Sequence, residues 1–400
     1  MNLLIADKLE EEAIRALKEI RGLEVTSNPT LSKDALPGAL ADVDILVVRS
    51  KEVRAPAIDA AKRLALIVRA GAGTNTIDVE AASARGVYVA NCPGKNAVAV
   101  AELAVGMMLA LDRRLGPATA SIASGKWEKG EFGKADGLFG KRLGVAGLGS
   151  IGREVVARGK ALGLEVSAWS RSLTPERARE IGVQYAPSLE MLASQSDILS
   201  LHLPLAKETR GIVDGRVLAG MPKGAMVINT ARAEVLDYGA LEDAVRNRGL
   251  RAGLDVFPNE PEGGSGSYAH PLAGHPNVVT TPHIGASTQQ AQLAIAAEVV
   301  RIVKQFVETG RVPNCVNLAA HNPARCQLVV RHFDRVGVLA SVLGVIKQHG
   351  INVEEMANAP FAGHKAAVAR LSLGTFPSAA CLQELEQCSP DVIHVEAIAI

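Results

Sequence analysis

The feature that most restricts the fold is a short glycine-rich run, "GLGSIG" (Gly147 to Gly152), entered from the apolar stretch "RLGVA" and left through a helix-forming stretch that begins near Ser150. A second apolar stretch, "LEVSAW", follows at the distance expected for one half of a doubly wound parallel sheet. On its own a GxGxxG string says little, because glycine-rich turns also serve tight packing. Between a strand and a helix it does more. The glycines permit a tight turn and the close approach of a pyrophosphate, and the amides at the helix N-terminus offer that anion hydrogen bonds and a partial positive charge. Gly147, Gly149, Ser150, Ile151 and Gly152 are therefore expected to hold a dinucleotide.

An acid that binds the ribose 2′-hydroxyl of NAD belongs at the end of the second strand, and Ser170 stands there, followed by Arg171 and Ser172. Glu165 lies at the start of that strand, away from the cofactor end. A guanidinium and two hydroxyls with no repelling carboxylate suit the 2′-phosphate of NADP. The plainer alternative makes Arg171 a solvated loop residue and the cofactor NAD, so NAD or NADP is expected, with Ser170 and Arg171 pointing toward NADP.

The rest of the chain repeats the α/β rhythm. Short β-branched runs alternate with helical stretches over residues 1–95, a helix-like run covers Ala97 to Arg113, a second α/β series runs from Lys141 to about Pro282, and another long helix spans about Ala286 to Thr309. Two long helices bracketing one series predict a discontinuous first domain (1–95 and 287–318) around a nucleotide-binding domain (96–286). Gly310 to Arg325 reads as a linker and Pro261 to Tyr268 as a loop insertion. Residues 326–400 read as a small β-α-β-β-α-β domain. The expected class is thus α/β, with two Rossmann-like parallel-sheet domains and a ferredoxin-like tail.

Composition narrows the partners. In 400 residues, 48% of them hydrophobic, more than one core can form, and 43 basic against 42 acidic side chains leave a formal charge of +1, which argues against nucleic acid. The N-terminus lacks the pattern of an export signal and the apolar runs are too short to span a bilayer, so a soluble protein and no membrane partner are expected. Five cysteines without CxxC spacing fit a reducing cytoplasm and imply no metal site.

Three residues stand just past strands of the second series: Arg232 in "INTARAEVL", Glu260 in "DVFPNEP" and His283 in "TPHIGAS". All three therefore fall at the carboxyl edge of one sheet, where ligands bind in this architecture. Hydride transfer from a hydroxy acid needs such a set: a histidine to take the hydroxyl proton, a carboxylate to hold the imidazole, and an arginine to fix the substrate's carboxylate. Singly, each has a plainer role, as an ion-pair partner, a loop charge or a helix cap.

With "GLGSIG", "LHLPL" (Leu201 to Leu205), "NTARA", "LDVFPNEP" and "TPHIGAS" in this order, essentially the whole chain resembles the D-isomer-specific 2-hydroxyacid dehydrogenases. The resemblance implies Arg232 as the substrate anchor, His283 as the acid/base and Glu260 as its partner. It places Thr230, Ala231 and Asp255 on the nicotinamide side, and His202, Leu203, Pro204, Gly285 and Ala286 along the cofactor. "RAGAGTNTIDV" is similar to the family's substrate loop, with Ala72 and Gly73 offering amides to the carboxylate and Ala72 also near the cofactor; Gly94 to Leu103 would cover the cofactor from the first domain. Arg49 is implied as a phosphate ligand and Lys129 as a cation supplied by a neighbouring subunit, which points to a phosphorylated hydroxy acid, 3-phosphoglycerate, oxidised to 3-phosphohydroxypyruvate for serine synthesis. A homo-oligomer, dimer or tetramer, follows.

The tail resembles an ACT domain, a small-molecule sensor, and by resemblance His332, Asp334 and Asn352 line an L-serine site between two such domains. Asp334 and Val336 depart from the usual asparagine and proline, as Ser170 departs from the usual NAD acid and Ala233 from a common glycine. The alternatives are an NADP-dependent glyoxylate or hydroxypyruvate reductase and, in another class, a nucleotide-sensing corepressor of the kind exemplified by the C-terminal-binding proteins.

Overall fold

Sixteen strands in three sheets organise the computed structural model, which describes residues 1–261, 266–319 and 322–400. Part of the expected loop insertion (262–265) and of the expected linker (320–321) lies outside the described residues. The chain divides into two units, Met1–Asn317 and Leu318–Ile400.

The first sheet of the larger unit is parallel, in the order β2-β1-β3-β4-β5, from β1 (Asn2–Ile5), β2 (Glu24–Ser27), β3 (Ile45–Val48), β4 (Leu66–Arg69) and β5 (Tyr88–Asn91). Its central strands are continuous apolar runs because both faces are covered, and β3 is buried at every position. Alternate residues serve the two faces. Leu3, Ile5, Val47 and Val68 meet Ile295, Val299, Ile302 and Phe306 of the helix Gln289–Thr309, while Leu4, Leu46 and Ile67 meet Leu36, Leu40 and Ile58 on the other side. A helix from late in the sequence thus completes the first core.

The second sheet holds β6 (Arg142–Ala146), β7 (Glu165–Trp169), β8 (Gln184–Tyr185), β9 (Ile198–Leu201), β10 (Met226–Asn229), β11 (Arg251–Leu254) and β12 (Val278–Thr280). They run parallel in the order β12-β11-β10-β9-β6-β7-β8. The helix Ala97–Arg113 packs on it through Ala104, Met107, Met108 and Leu111, against Leu143, Val145, Ile198 and Ile228. Two helices on this sheet start at side-chain caps typical of helix N-termini: the Thr174 and Asp237 side chains accept from the Arg177 and Ala240 amides, and Thr174 is followed by Pro175 at the first helical position. Strand β8 has no apolar signature, since both its residues are exposed, and the sequence does not reveal it.

Both parallel sheets have a point where strand order reverses, between β1 and β3 in the first and between β6 and β9 in the second. Crevices open at the carboxyl ends of strands at such points. Asp7 and Arg49 lie at the first, Gly147 and His202 at the second.

The expected linker is shorter than the sequence suggests. The Val316 amide donates to Val89 O (2.8 Å), the Val89 amide donates to Asn317 Oδ1 (2.8 Å), and the Asn317 side-chain amide donates to Val87 O (2.8 Å), so residues through Asn317 are bound to the edge of β5. Asparagine side chains here substitute for a missing strand partner, which apolar periodicity cannot show.

The smaller unit is an antiparallel sheet in the order β14-β15-β13-β16, from β13 (Cys326–Phe333), β14 (Val353–Pro360), β15 (Ala366–Leu373) and β16 (Val392–Ala399). Helices Val338–Gln348 and Ala379–Gln387 cover one face, burying Leu328, Val330 and Leu371 against Val342, Ile346 and Leu385. Among the described residues no helix is long and apolar enough to cross a membrane.

Candidate active site

Three strand ends build the site in the larger unit. After β10, the buried Asn229 folds the chain back on itself: its Oδ1 accepts from the Ala231 amide (3.1 Å) and its Nδ2 donates to Arg232 O (3.0 Å). This Asx turn presents Arg232, whose guanidinium packs on the substrate loop so closely that a Cβ on Gly73 would sit 2.6 Å from its Nη2. After β11, Asp255 is 1% exposed and spends both oxygens on the next connection, accepting from Thr281 Oγ1 (2.6 Å), the Ile284 amide (2.8 Å) and the Gly285 amide (2.8 Å). That bracing holds His283 in a left-handed conformation, φ 52°, which few non-glycine residues adopt.

The result is a hydrogen bond of 2.6 Å between His283 Nδ1 and Glu260 Oε2. With Nδ1–H donating to the carboxylate, Nε2 is left as the proton acceptor. The other Glu260 oxygen accepts from the Phe257 amide (2.9 Å). Burial pushes the Glu260 carboxyl up, yet the His283 and Phe257 hydrogen bonds and the charges of His283 and Arg232 outweigh it and hold the group below its ordinary value. Glu260 stays anionic beside the imidazole.

The glycine turn is shaped to hold a dinucleotide. A Cβ on Gly147 (φ 98°) would lie 2.5 Å from His202 O, and one on Gly152 would lie 2.0 Å from Gly147 O, so these two glycines are required by the turn itself. Gly149 faces open space. It caps the helix Ser150–Ala161 without any side-chain hydrogen bond, leaving the first amides free for an anion. Around this turn the Thr230 hydroxyl, His202 Nδ1 and Asn96 Oδ1 are buried without protein partners. Burial pushes His202 down to about 4, so it is a neutral group beside the crevice, with Nε2 2.8 Å from Ser200 Oγ. Unpartnered polar atoms of this kind fit the hydroxyls and amide of a nicotinamide dinucleotide.

Ser170 and Arg171 directly follow β7, with the Trp169 carbonyl accepting from the Gly147 amide (2.8 Å). Glu165 lies at the opposite end of that strand, about 16 Å from Ser170 at 3.3 Å per residue. Arg171 is exposed and, among the described residues, pairs with no carboxylate. Ala72 joins the site through its carbonyl, which accepts from Asn91 Nδ2 (2.6 Å), and the Ala286 carbonyl accepts from Gln292 Nε2 (2.8 Å). Leu203 packs over Gly147, 3.2 Å from where its Cβ would be, and Pro204 O accepts from Thr209 Oγ1 (2.6 Å).

Lys129 does not join these residues within one chain; it begins the short exposed helix Lys129–Phe132. The three tail residues are not brought together either. His332 is 1% exposed with Nδ1 bonded to Phe333 O (2.8 Å) and Nε2 to the Asn358 side-chain amide (3.1 Å), Asp334 is exposed, and the Asn352 amide donates to Glu354 Oε1 (2.8 Å). His332 lies at the level of Ala367 and Val353 at the level of Leu373, which puts Asn352 about 20 Å from His332 along the sheet.

The sequence reading missed Asn229 and Asp7. Asp7 Oδ2 accepts from the amides of Arg49, Ser50 and Lys51 (2.7, 3.0 and 2.9 Å) and so fixes the loop that carries Arg49. An acid one or two residues beyond the first strand was the available signal.

Known proteins agree with this geometry. The pattern for the D-isomer specific 2-hydroxyacid dehydrogenase NAD binding domain matches residues 105–285, and a hydroxypyruvate reductase of Thermotoga maritima is 43% identical over 308 residues, 76% of this chain and 97% of that one. The chain belongs to the D-isomer specific 2-hydroxyacid dehydrogenase family. Another member, a D-3-phosphoglycerate dehydrogenase of Methanocaldococcus jannaschii, is 39% identical over 320 residues, 80% of this chain, but the match spans only 60% of that enzyme's length. Among solved structures of the family, an NADPH-dependent glyoxylate/hydroxypyruvate reductase of Sinorhizobium meliloti, crystallised with NADP and malonate, superimposes with a TM-score of 0.69 at 28% identity, over 79% of this chain and 96% of that one. The chain thus carries the NAD binding domain of this family over residues 105–285.

Proposed function

We propose that this dehydrogenase oxidises 3-phosphoglycerate to 3-phosphohydroxypyruvate, the activity of a D-3-phosphoglycerate dehydrogenase. The observation that carries the proposal is a second cation close to the substrate loop besides Arg232, since the charges of Arg49 and Arg232 both bear on Arg69 at the start of that loop. Arg49 lines a crevice of about 400 Å³ at the β1/β3 reversal, together with Lys8 and with the carboxylates of Asp7, Glu10 and Glu11. A hydroxy acid with one carboxylate needs Arg232 alone; one that also bears a phosphate needs a cation on the opposite wall.

In turnover, Arg232 and the amides near Ala72 and Gly73 would hold the carboxylate, and Arg49 the phosphate. His283 Nε2 takes the proton of the C2 hydroxyl, and Glu260 balances the imidazolium so formed. A nicotinamide held beside Thr230 and His202 would supply the hydride acceptor. One proton and one hydride leave the alcohol, and a ketone remains. The NADP preference follows from Ser170 and the unpaired Arg171, and the relative from T. maritima, matched over nearly its whole length, favours the second reading, reduction of hydroxypyruvate or glyoxylate. Initial rates with 3-phosphohydroxypyruvate, hydroxypyruvate and glyoxylate, each with NADH and NADPH, separate the two: a higher kcat/KM for the phosphorylated keto acid supports the proposal, and a preference for glyoxylate replaces it.

Assembly belongs to the same proposal. Leu115, Ile122, Trp127 and Phe139 are exposed in the segment around Lys129, the last two at 83% and 87%, an apolar surface that fits a second copy and would carry Lys129 to the partner's site. The smaller unit would act in pairs as a serine sensor, since only two copies can bring Asp334 of one to Asn352 of the other.

A further inference from the structure

Four rings cluster around the backbone that fixes Glu260, and none has a role in the scheme above. Phe257 donates its amide to Glu260 Oε1 (2.9 Å), which with the His283 bond holds both carboxylate oxygens. Asn259, directly before Glu260, is left-handed (φ 55°), so the turn that brings the carboxylate back to that amide is one few residues adopt. The Phe257 ring lies among three others: Tyr238 at 6.2 Å between centroids, Tyr268 at 5.6 Å and His270 at 5.3 Å. His270 also meets Tyr238 edge-on at 5.4 Å and stacks with Tyr268 at 6.3 Å and 15°. The Tyr238 hydroxyl donates to Val256 O and the Tyr268 hydroxyl to Pro258 O (2.9 Å), the residues on either side of Phe257. Burial, and then the charge of Glu260, push the Tyr268 hydroxyl above its ordinary value, which marks the two groups as neighbours. His270 is anchored in turn, since its Nδ1 accepts from the amide of Leu272 (3.2 Å), a fully buried member of the core on the second sheet.

Glu260 stands on a loop with its side chain 33% exposed, and such a carboxylate orients an imidazole only if the loop itself is held. The Tyr268 side chain, 40% exposed, spends its hydroxyl on a carbonyl of that loop. We propose that Tyr268 and His270 are positioning residues for the dehydrogenase reaction, a clamp that carries the rigidity of the core through Phe257 and Pro258 to Glu260 and so to His283. Neither touches the reacting atoms. Loosening the clamp therefore costs turnover through Glu260, while Arg232, presented by the Asn229 turn, stays in place to bind substrate. The assignment rests on the reading of Glu260 and His283 as the acid/base pair.

The test is a double-mutant cycle in the full chain, with rates taken on whichever of 3-phosphohydroxypyruvate and glyoxylate the wild type prefers. Tyr268→Ala is expected to lower kcat about tenfold with KM within about twofold, and Tyr268→Phe, which keeps the ring and loses only the donation to Pro258 O, to lower kcat about threefold. In a Glu260→Ala background Tyr268→Ala should cost nothing more, because the group it positions is gone. Independently of turnover, the proton between His283 Nδ1 and Glu260, seen by NMR as a downfield resonance absent from His283→Ala, should persist in Tyr268→Phe and move upfield or vanish in Tyr268→Ala. An equal loss of kcat in both backgrounds, or an unchanged resonance in Tyr268→Ala, would overturn the role. If Tyr268→Ala does not melt cooperatively, His270→Ala takes its place in the cycle with the same expectations. A Glu260→Ala enzyme with wild-type kcat refutes the acid/base reading instead, while the resonance still decides whether the clamp holds Glu260.

Discussion

At the scale of single residues, the proposed chemistry depends on one short hydrogen bond and one strained backbone position. Removing the imidazole in His283→Ala should lower kcat by about 1,000-fold, the range of a lost general base, with nucleotide binding by fluorescence unchanged. Glu260→Gln preserves the shape of the pair but not its charge, and should lower kcat about tenfold or more because the imidazolium formed in turnover loses its counter-ion. Since Glu260 is held below the ordinary carboxylate value, it is anionic above that range and loses its charge only as pH falls through the lowered value. The neutral-pH limb of the kcat/KM profile should therefore survive in Glu260→Gln. Cofactor choice is also a residue-scale matter: Ser170→Asp should raise the NADH to NADPH ratio of kcat/KM by about tenfold or more, by supplying an acceptor for the 2′-hydroxyl and repelling a 2′-phosphate. The placement of Arg232 against the substrate loop and of Glu260 beside His283 was legible because each follows an apolar run and carries distinctive chemistry. Asn229 and Asp7 were not, because they work through backbone groups and a loop conformation that only coordinates reveal.

At the scale of elements, one buried carboxylate ties together the segments that connect the two parallel sheets. Glu298 is 6% exposed on the helix Gln289–Thr309. It accepts from Arg301 (2.6 Å) and from Asn314 Nδ2 (2.7 Å), and Lys95, just before the helix Ala97–Arg113, lies 3.3 Å away. Arg301 foremost, against the opposing effect of burial and with help from Asn314 and Lys95, lowers Glu298 from 4.5 to about 2. A carboxyl depressed in the folded state contributes stability in full above its unfolded value and loses it as pH falls from about 4.5 toward 2. Glu298→Gln should accordingly lower stability at pH 7 by about 2 kcal/mol, and flatten the decline in Tm between pH 5 and pH 3, measured by thermal melts across pH. The long helices themselves were legible, the first from Ala97 to Arg113 with both ends as expected, because extended apolar runs admit few other structures. Strand β8 and the binding of Asn314 to Asn317 along β5 were not, since polar side chains and two exposed residues leave no periodic trace.

At the scale of the whole molecule, the boundary between the two units gives the last prediction. The T. maritima relative is matched over 97% of its own length by 308 residues of this chain, so a chain of about the size of Met1–Asn317 is sufficient for a folded member of the family. Ending the chain at Asn317 should leave kcat/KM within about threefold and remove any response to serine, because every group proposed for catalysis precedes that residue. The response itself can be dissected. Both ring nitrogens of His332 are engaged inside its own unit, so His332→Ala should lower the Tm of the full chain, as loss of a buried, satisfied polar group does. Asn352 lies at the other end of the sheet with its amide on an exposed glutamate, so Asn352→Ala should leave Tm unchanged and abolish serine inhibition. If serine acts between paired units, the two substitutions separate a structural histidine from a ligand-binding asparagine. If millimolar serine neither inhibits the wild type nor shifts its melting, the smaller unit is a pairing module, and the carboxylate of Asp334 supplies the reason, since it repels the carboxylate of an amino acid.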